Sequence, residues 1–263
     1  PKSFEDYNRI AGFFTRSLNP ASPVQYGTTV AIGNVVVSPS EFLPRLFEQG
    51  GKLFNAKGQI TVDTPEALAA LKNYRETYAC SDRTVHDIWK NVLEGFADGS
   101  AAMTVVFINY ASHILNSKMS SIAGKLGFAP VPGGRGLSGG GVVGITRSCA
   151  HPETACAFLS WLYSNQTAPA FTLLGGLSPC RSAYSNRDIK ERYPWLSAAR
   201  RSFPSAQRRS GSAYYSNFSE LQMENILAAY VQRAVLGVCT PEEALAQAQA
   251  EMDAHFTVNS EFL

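Results

Sequence analysis

Charged residues are sparse in this sequence. Only 17% of the 263 residues are Asp, Glu, Lys or Arg, and the formal net charge is +2. Nucleic-acid-binding domains normally carry a strongly basic surface, so the composition favours no nucleic-acid partner. The one basic cluster is interspersed with Ser, Pro and Gln, which is more typical of a solvated loop than of a phosphate-binding patch. It consists of Arg200, Arg201, Arg208 and Arg209.

Long apolar runs and cysteine frameworks are also missing. No run approaches the ~18 apolar residues of a membrane-spanning helix, so we expect no membrane span in this chain. The first residues lack the charged and apolar regions of a signal peptide. Five cysteines form no C-x-x-C pair and are too few for a disulfide scaffold, although an oxidising compartment would allow one bridge. The four histidines are isolated, so we expect neither a metal nor another cofactor.

What remains is a pattern of amphipathic helices and short apolar strands separated by glycine and proline. Helices are predicted at 1–15, 38–50, 63–78, 84–97, 151–163, 217–236 and 240–256. Capping boxes are predicted at Ser38–Glu41 and Thr240–Glu243. Strands are predicted at 24–32, 102–107, 126–131 and 142–146. This combination predicts an α/β fold.

One stretch, residues 94–147 and the helix after it, carries the most information. It has the order Phe-x-x-Gly-x-Ala-Ala-Met, strand, Gly-x-x-Gly-Phe-Ala-Pro-Val-Pro-Gly-Gly, glycine loop, strand, and finally His-Pro-Glu-x-Ala-x-x-Phe-Leu-x-Trp-Leu. This order resembles the C-terminal half of extracellular solute-binding protein family 1, the maltose-binding-protein-like sugar receptors of ABC importers. The likeness extends from residue 1 to about 256, and so to the C-terminal two thirds of such a protein.

The resemblance implies a class II periplasmic-binding-protein-like fold in which one lobe is nearly complete. The other lobe would be truncated at its N-terminal side, so we expect this chain to be a fragment. Residues 1–128 and 179–256 would form lobe two, residues 129–178 would cross the hinge into lobe one, and 257–263 would be a tail. Pro130, Pro132 and the glycines after them suit a crossover, because prolines end strand pairing and glycines absorb dihedral change.

The resemblance also implies where a ligand would be bound. A sugar presents apolar faces and hydroxyl groups, which aromatic platforms and short polar side chains recognise. The implied contacts lie at the start of the second helix, after the Ala-Ala-Met strand, in the glycine loop, beyond Gly175–Gly176 and at the long helix. They are Ser38, Ser40, Glu41, Phe107, Asn109, Tyr110, Gly139, Gly140, Arg181, Tyr214 and Glu224.

The function implied is non-catalytic capture of a sugar or oligosaccharide outside the cytoplasmic membrane. The protein would be a periplasmic monomer, or an extracellular one held at the membrane, and would deliver its ligand to the permease subunits of an ABC importer. A sensory or adhesive module on the same fold is an alternative. A serine hydrolase is another, because Ser138 lies in a G-x-S-x-G string and Asp188 and His255 follow in hydrolase order. That motif requires a strand-to-helix turn, whereas the next residues predict a strand.

Overall fold

A computed structural model of the chain describes residues 1–33, 37–83, 89–207 and 211–262. Within these residues, twelve α-helices surround a sheet of two short strands. The strands are β1 (Tyr26–Thr28) and β2 (Ala101–Met103). The helices are α1 (Phe4–Phe14), α2 (Val37–Glu48), α3 (Pro65–Ala79), α4 (Trp89–Ala97), α5 (Ala111–Ile114), α6 (Pro152–Leu162), α7 (Thr167–Leu173), α8 (Arg181–Ser185), α9 (Arg187–Arg192), α10 (Trp195–Ser202), α11 (Glu220–Val235) and α12 (Pro241–His255). None of the described helices combines the length and the apolar character that a membrane crossing demands.

Local capping signals place most of the predicted helices correctly. The Ser3 hydroxyl accepts the Asp6 N–H at 3.0 Å and opens α1, and Thr64 caps α3 in the same way. At α12, Thr240 and Glu243 exchange side-chain and backbone hydrogen bonds of 3.1 and 2.9 Å, so the predicted capping box is confirmed. The first part of the predicted helix 84–97 lies outside the described residues, and the rest is α4.

The capping box predicted at Ser38 and Glu41 is wrong. Ser38 lies inside α2, where its hydroxyl accepts the Gly33 N–H at 3.1 Å and donates to the Gly33 carbonyl. The Glu41 carboxylate forms an ion pair with Arg45, one turn further along the helix. Residues 34–36 lie outside the described part of the chain. A buried cation four residues away therefore binds the carboxylate that the spacing assigned to the cap.

The sheet is smaller than the sequence predicts. Strands β1 and β2 are parallel, with Tyr26 opposite Ala101 and Thr28 opposite Met103. The strands predicted at 126–131 and 142–146 are wrong, because neither segment forms a ladder with any described residue. A strand exists only where its backbone forms hydrogen bonds with a neighbouring strand. An apolar run bounded by glycine and proline does not determine whether such a partner is present.

Two hydrophobic clusters hold most of the core. The larger one joins α2, α3, α11 and α12, with fully buried side chains such as Leu46, Tyr74 and Leu227. The second lies where α8, α9 and α10 meet, around Ile189 and Trp195. A large cavity lies between the elements that carry these two clusters.

Residues 139–163 make little contact with the rest of the described chain. Val142 is 98% exposed, and Phe158 and Trp161 on α6 are also exposed. The helix predicted at 151–163 is confirmed as α6, and the described residues leave its side chains Phe158 and Trp161 uncovered. Exposed apolar patches of this kind normally mark a surface that another body covers.

Candidate functional site

The cavity lies at the carboxyl ends of the two parallel strands. The segment that leaves β2, residues 104–109, forms one wall, and the helix that follows β1, α2, contributes another. Ligands of open α/β sheets bind at this end of the strands. The cavity volume of about 1640 Å³ exceeds the roughly 300–1,000 Å³ of a typical small-molecule pocket. It can therefore take a ligand larger than one sugar ring.

The segment after β2 lies beside the glycine loop, and both line this cavity. A Cβ atom placed on Gly139 would lie 3.6 Å from Cε1 of Phe107, which is ordinary van der Waals contact. Gly140 also lines the cavity, with open space on its Cβ side. Phe107 is half-buried and Asn109 is exposed. The structure thus brings together an aromatic ring, a primary amide and bare backbone.

The strand ends that carry this segment are tied together. The Thr29 hydroxyl donates to the Thr104 hydroxyl at 2.7 Å, and the Thr29 N–H donates to the Met103 carbonyl at 3.1 Å. Beyond them, a 3-10 turn begins directly after Phe107, with the Tyr110 N–H donating to the Phe107 carbonyl at 3.0 Å. Rigid strand ends and a hydrogen-bonded turn therefore set the position of Asn109.

A buried ion pair lies on the wall that α2 forms. The Arg45 guanidinium is 3.0 Å from the Glu41 carboxylate, and both side chains, together with Ser40, line the cavity. The Ala31 N–H donates to Glu41 at 3.3 Å. Burial raises the pKa of Glu41, and the nearby guanidinium opposes that rise without cancelling it. The one carboxylate on this wall is therefore already paired with Arg45.

Four of the predicted contact residues lie away from the cavity. Ser38 is held by Gly33, and Tyr110 packs against the small cluster between α4 and α5. Tyr214 packs on neighbouring aromatic rings near the C-terminal end of the described chain. Glu224 is 3% exposed within α11. The other seven line the cavity, and they are Ser40, Glu41, Phe107, Asn109, Gly139, Gly140 and Arg181.

Several lining residues were not predicted from the sequence. Lys125, Trp195 and Arg200 line the cavity, as does Arg45. Arg45 could have been found, because it lies four residues after Glu41 on one helix face.

The prediction of a loop at the basic cluster is wrong for Arg200 and Arg201, which lie in the last turn of α10. Arg208 and Arg209 lie outside the described residues.

The geometry does not support a hydrolase at Ser138. The Ser138 N–H donates to the Gln207 carbonyl at 2.7 Å, and irregular chain follows where a nucleophile elbow needs a helix. Asp188 and His255 lie on α9 and α12, and neither lines the cavity that Ser138 lines. Among the described residues, no three His, Cys, Asp or Glu side chains are grouped closely enough to hold a metal ion.

Comparisons with known proteins agree with the fold. The chain is 22% identical over 232 residues to the probable amino-acid ABC transporter periplasmic-binding protein y4oP of Sinorhizobium fredii, covering 87% of this chain and 52% of that protein. It superposes on maltose-bound MalE3 of T. maritima with a TM-score of 0.81 at 24% identity, covering 97% of this chain and 65% of the other. A ribitol-bound solute-binding protein of Agrobacterium radiobacter gives a TM-score of 0.74 at 19% identity, with coverages of 95% and 64%.

These likenesses confirm the class II periplasmic-binding-protein-like fold that the sequence resemblance implied. The chain spans about half the length of y4oP and just under two thirds of the two structures. The profile of the family described as bacterial extracellular solute-binding protein matches residues 2–197, well over half of the chain. The chain therefore belongs to the bacterial extracellular solute-binding protein family.

Proposed function

We propose that this chain forms the ligand-holding part of an extracytoplasmic receptor that captures a carbohydrate or polyol and delivers it to the permease of an ABC importer. The observation that carries the proposal is the position of Phe107 beside the bare backbone of Gly139 on the wall of the cavity. A sugar ring can stack on the aromatic face while its hydroxyls approach the glycine backbone. Asn109 adds a donor and an acceptor in the same segment.

The cavity wall favours a polyhydroxylated ligand over an amino acid. MalE3 was solved with maltose and the Agrobacterium protein with ribitol, whereas y4oP is named for amino acids. A carboxylate is the strongest partner that a protein offers to the ammonium group of an amino acid. Among the described lining residues Glu41 is the one carboxylate, and it is paired with Arg45. A zwitterion would thus find no free carboxylate for its ammonium group among these residues.

We assign the lobes as the resemblance implies. Residues 1–128 and 179–256 form one lobe, and residues 129–178 cross into the other. Positive φ angles of 73° at Gly133 and 69° at Gly134 make this crossover a suitable hinge, since glycine adopts such angles without steric cost. The solved structures are longer than this chain, and the exposed apolar face around Phe158 and Trp161 is a surface that a further part of such a receptor would cover.

Binding measurements on the full-length gene product test the proposal. Phe107→Ala and Asn109→Ala should each raise the Kd for the carbohydrate about 10- to 100-fold, as expected for residues at the centre of a binding site. Isothermal titration calorimetry across a library of mono- and disaccharides and polyols provides the values. The bound ligand should be recovered chemically unchanged.

Phe13→Ala is the matched control, because Phe13 is an exposed aromatic residue on α1 that does not line the cavity. It should leave the Kd within twofold of the parent. Equal losses in Phe13→Ala and Phe107→Ala, or no loss in either cavity variant, would show that the ligand binds elsewhere.

A further inference from the structure

The cavity wall carries an excess of positive charge. Among the described lining residues, four side chains are cationic and one is anionic. Glu41 neutralises Arg45, which leaves Lys125, Arg181 and Arg200. The chain as a whole has a surplus of only two cationic side chains. This one wall therefore accounts for the whole positive surplus of the chain.

These three cations make no polar contact that would neutralise them. Within the described residues, the side chains of Lys125, Arg181 and Arg200 form neither an ion pair nor a hydrogen bond. Lys125, Arg181 and Arg200 are exposed, and other exposed cations such as Lys52 and Lys118 also lack an ion pair among the described residues. What distinguishes these three is that all of them line one cavity.

The helices that carry the two arginines contribute to the same hydrophobic cluster. Arg181 is the first residue of α8 and Arg200 lies in the last turn of α10, and the two helices supply Ala183 and Trp195 to that cluster. Trp195 lines the cavity, and its buried Nε1–H has no acceptor among the described residues. This indole therefore adds an unpaired hydrogen-bond donor to the two guanidinium groups on the wall.

We propose that the captured solute is an acidic carbohydrate or polyol, bearing a phosphate, sulfate or carboxylate group that Arg181 and Arg200 bind with the help of Lys125. The inference rests on the proposed function and specifies the chemical class of the ligand more closely. Arginine suits this role because its planar guanidinium donates two parallel hydrogen bonds to a carboxylate or phosphate and keeps its charge. A neutral sugar would leave all three cations without a counter-charge.

The test compares matched ligands on the full-length gene product. Calorimetric titrations, each run at a low and at a high salt concentration, would use glucose, glucose 6-phosphate and glucuronate, then mannitol and mannitol 1-phosphate, and finally inorganic phosphate. Arg181→Gln and Arg200→Gln remove single charges from the cavity. Arg201→Gln is the control, because Arg201 is the exposed neighbour of Arg200 on α10 and does not line the cavity.

An acidic ligand should bind more tightly than its neutral parent and lose affinity as salt is raised. Arg181→Gln and Arg200→Gln should each weaken it about 10- to 100-fold, while Arg201→Gln changes the Kd less than twofold. The sugar phosphate and the uronate distinguish a phosphate from a carboxylate site.

Two results would overturn the inference in different ways. Tighter binding of the neutral parents, unaffected by either arginine variant, would refute the acidic ligand and leave the proposed carbohydrate function standing. Binding of inorganic phosphate as tight as that of the sugar phosphates, with no affinity for any sugar or polyol, would refute the proposed function as well.

Discussion

Arg45→Met should lower the free energy of unfolding by about 3–5 kcal/mol, because removing one partner of a buried ion pair leaves the other charge uncompensated. Arg45 is 1% exposed. Its guanidinium binds Glu41, donates at 3.2 Å to both Asn73 and Thr77, and lies 4.3 Å from the ring centroid of Phe4. The side chain therefore joins α1, α2 and α3. Urea denaturation of the parent and the variant would measure the loss.

A double variant separates the charge of Glu41 from the packing of Arg45. In Arg45→Met/Glu41→Gln no unpaired carboxylate remains at this site, so at pH 7 the double variant should be more stable than Arg45→Met by about 1–3 kcal/mol. Equal stability of the two variants at pH 7 would contradict this account. Glu191→Gln, which breaks the exposed pair with Arg187, should cost less than about 1 kcal/mol.

The pH dependence of the two variants should also differ. Burial raises the pKa of Glu41, and Arg45→Met removes the positive charge that opposes this rise. The folded state then takes up a proton at higher pH than the unfolded state, whose carboxyl keeps its ordinary value of 4.5. Arg45→Met should therefore gain stability as pH falls from the raised folded pKa towards 4.5. Arg45→Met/Glu41→Gln should lack this gain.

Gly27→Ala should destabilise the protein by about 3 kcal/mol or more. This loss equals or exceeds the largest that is usual when an extra methyl group is forced into a packed core. A Cβ atom at this position would lie 1.9 Å from the Ala11 carbonyl oxygen. The obstacle is backbone, so no rotamer change relieves it, and α1 must move away from β1. That movement would break the 2.5 Å hydrogen bond between Tyr7 and Thr28. The shift of the denaturation midpoint measures the effect.

Gly12→Ala is the control for this substitution and should change the free energy of unfolding in the opposite direction. Gly12 lies inside α1, where an added Cβ would be 4.0 Å from the nearest atom of Leu18. Alanine is a better helix former than glycine, so this variant should gain about 0.5–1 kcal/mol. A small effect of Gly27→Ala, similar to that of Gly12→Ala, would show that α1 and β1 are not packed as closely as described.

Local signals in the sequence predicted the helices well because a cap acts within one turn. Ser3, Thr64 and Thr240 each bind a backbone N–H three residues ahead, as their spacing indicates. The strands were predicted less well, since pairing depends on residues far away in sequence. The basic cluster shows a different error, because Trp195, Leu196 and Ala199 already have helical spacing and are buried on one face of α10. The Ser, Pro and Gln residues nearby obscured that pattern.

The candidate site was only partly accessible from the sequence. The resemblance pointed to Phe107, Asn109 and the glycine loop, and the structure brings these residues together around one cavity. It also pointed to Tyr214 and Glu224, which the packing of α11 and the C-terminal residues keeps outside that cavity. Which face of a long helix meets a cleft depends on how the helix packs, and periodicity alone does not determine it.

The methionine methyl groups offer the most direct measurement of where the ligand binds. Of the four methionines in this chain, Met103 lines the cavity, whereas Met119 is an exposed residue outside it and Met223 and Met252 are buried in the larger core cluster. In a methyl-labelled NMR titration of the full-length gene product with a carbohydrate or polyol that binds, the Met103 signal should shift most. The Met223 and Met252 signals should stay in place. A saturating ligand that shifts Met223 or Met252 and leaves Met103 unchanged would contradict the proposed binding cavity.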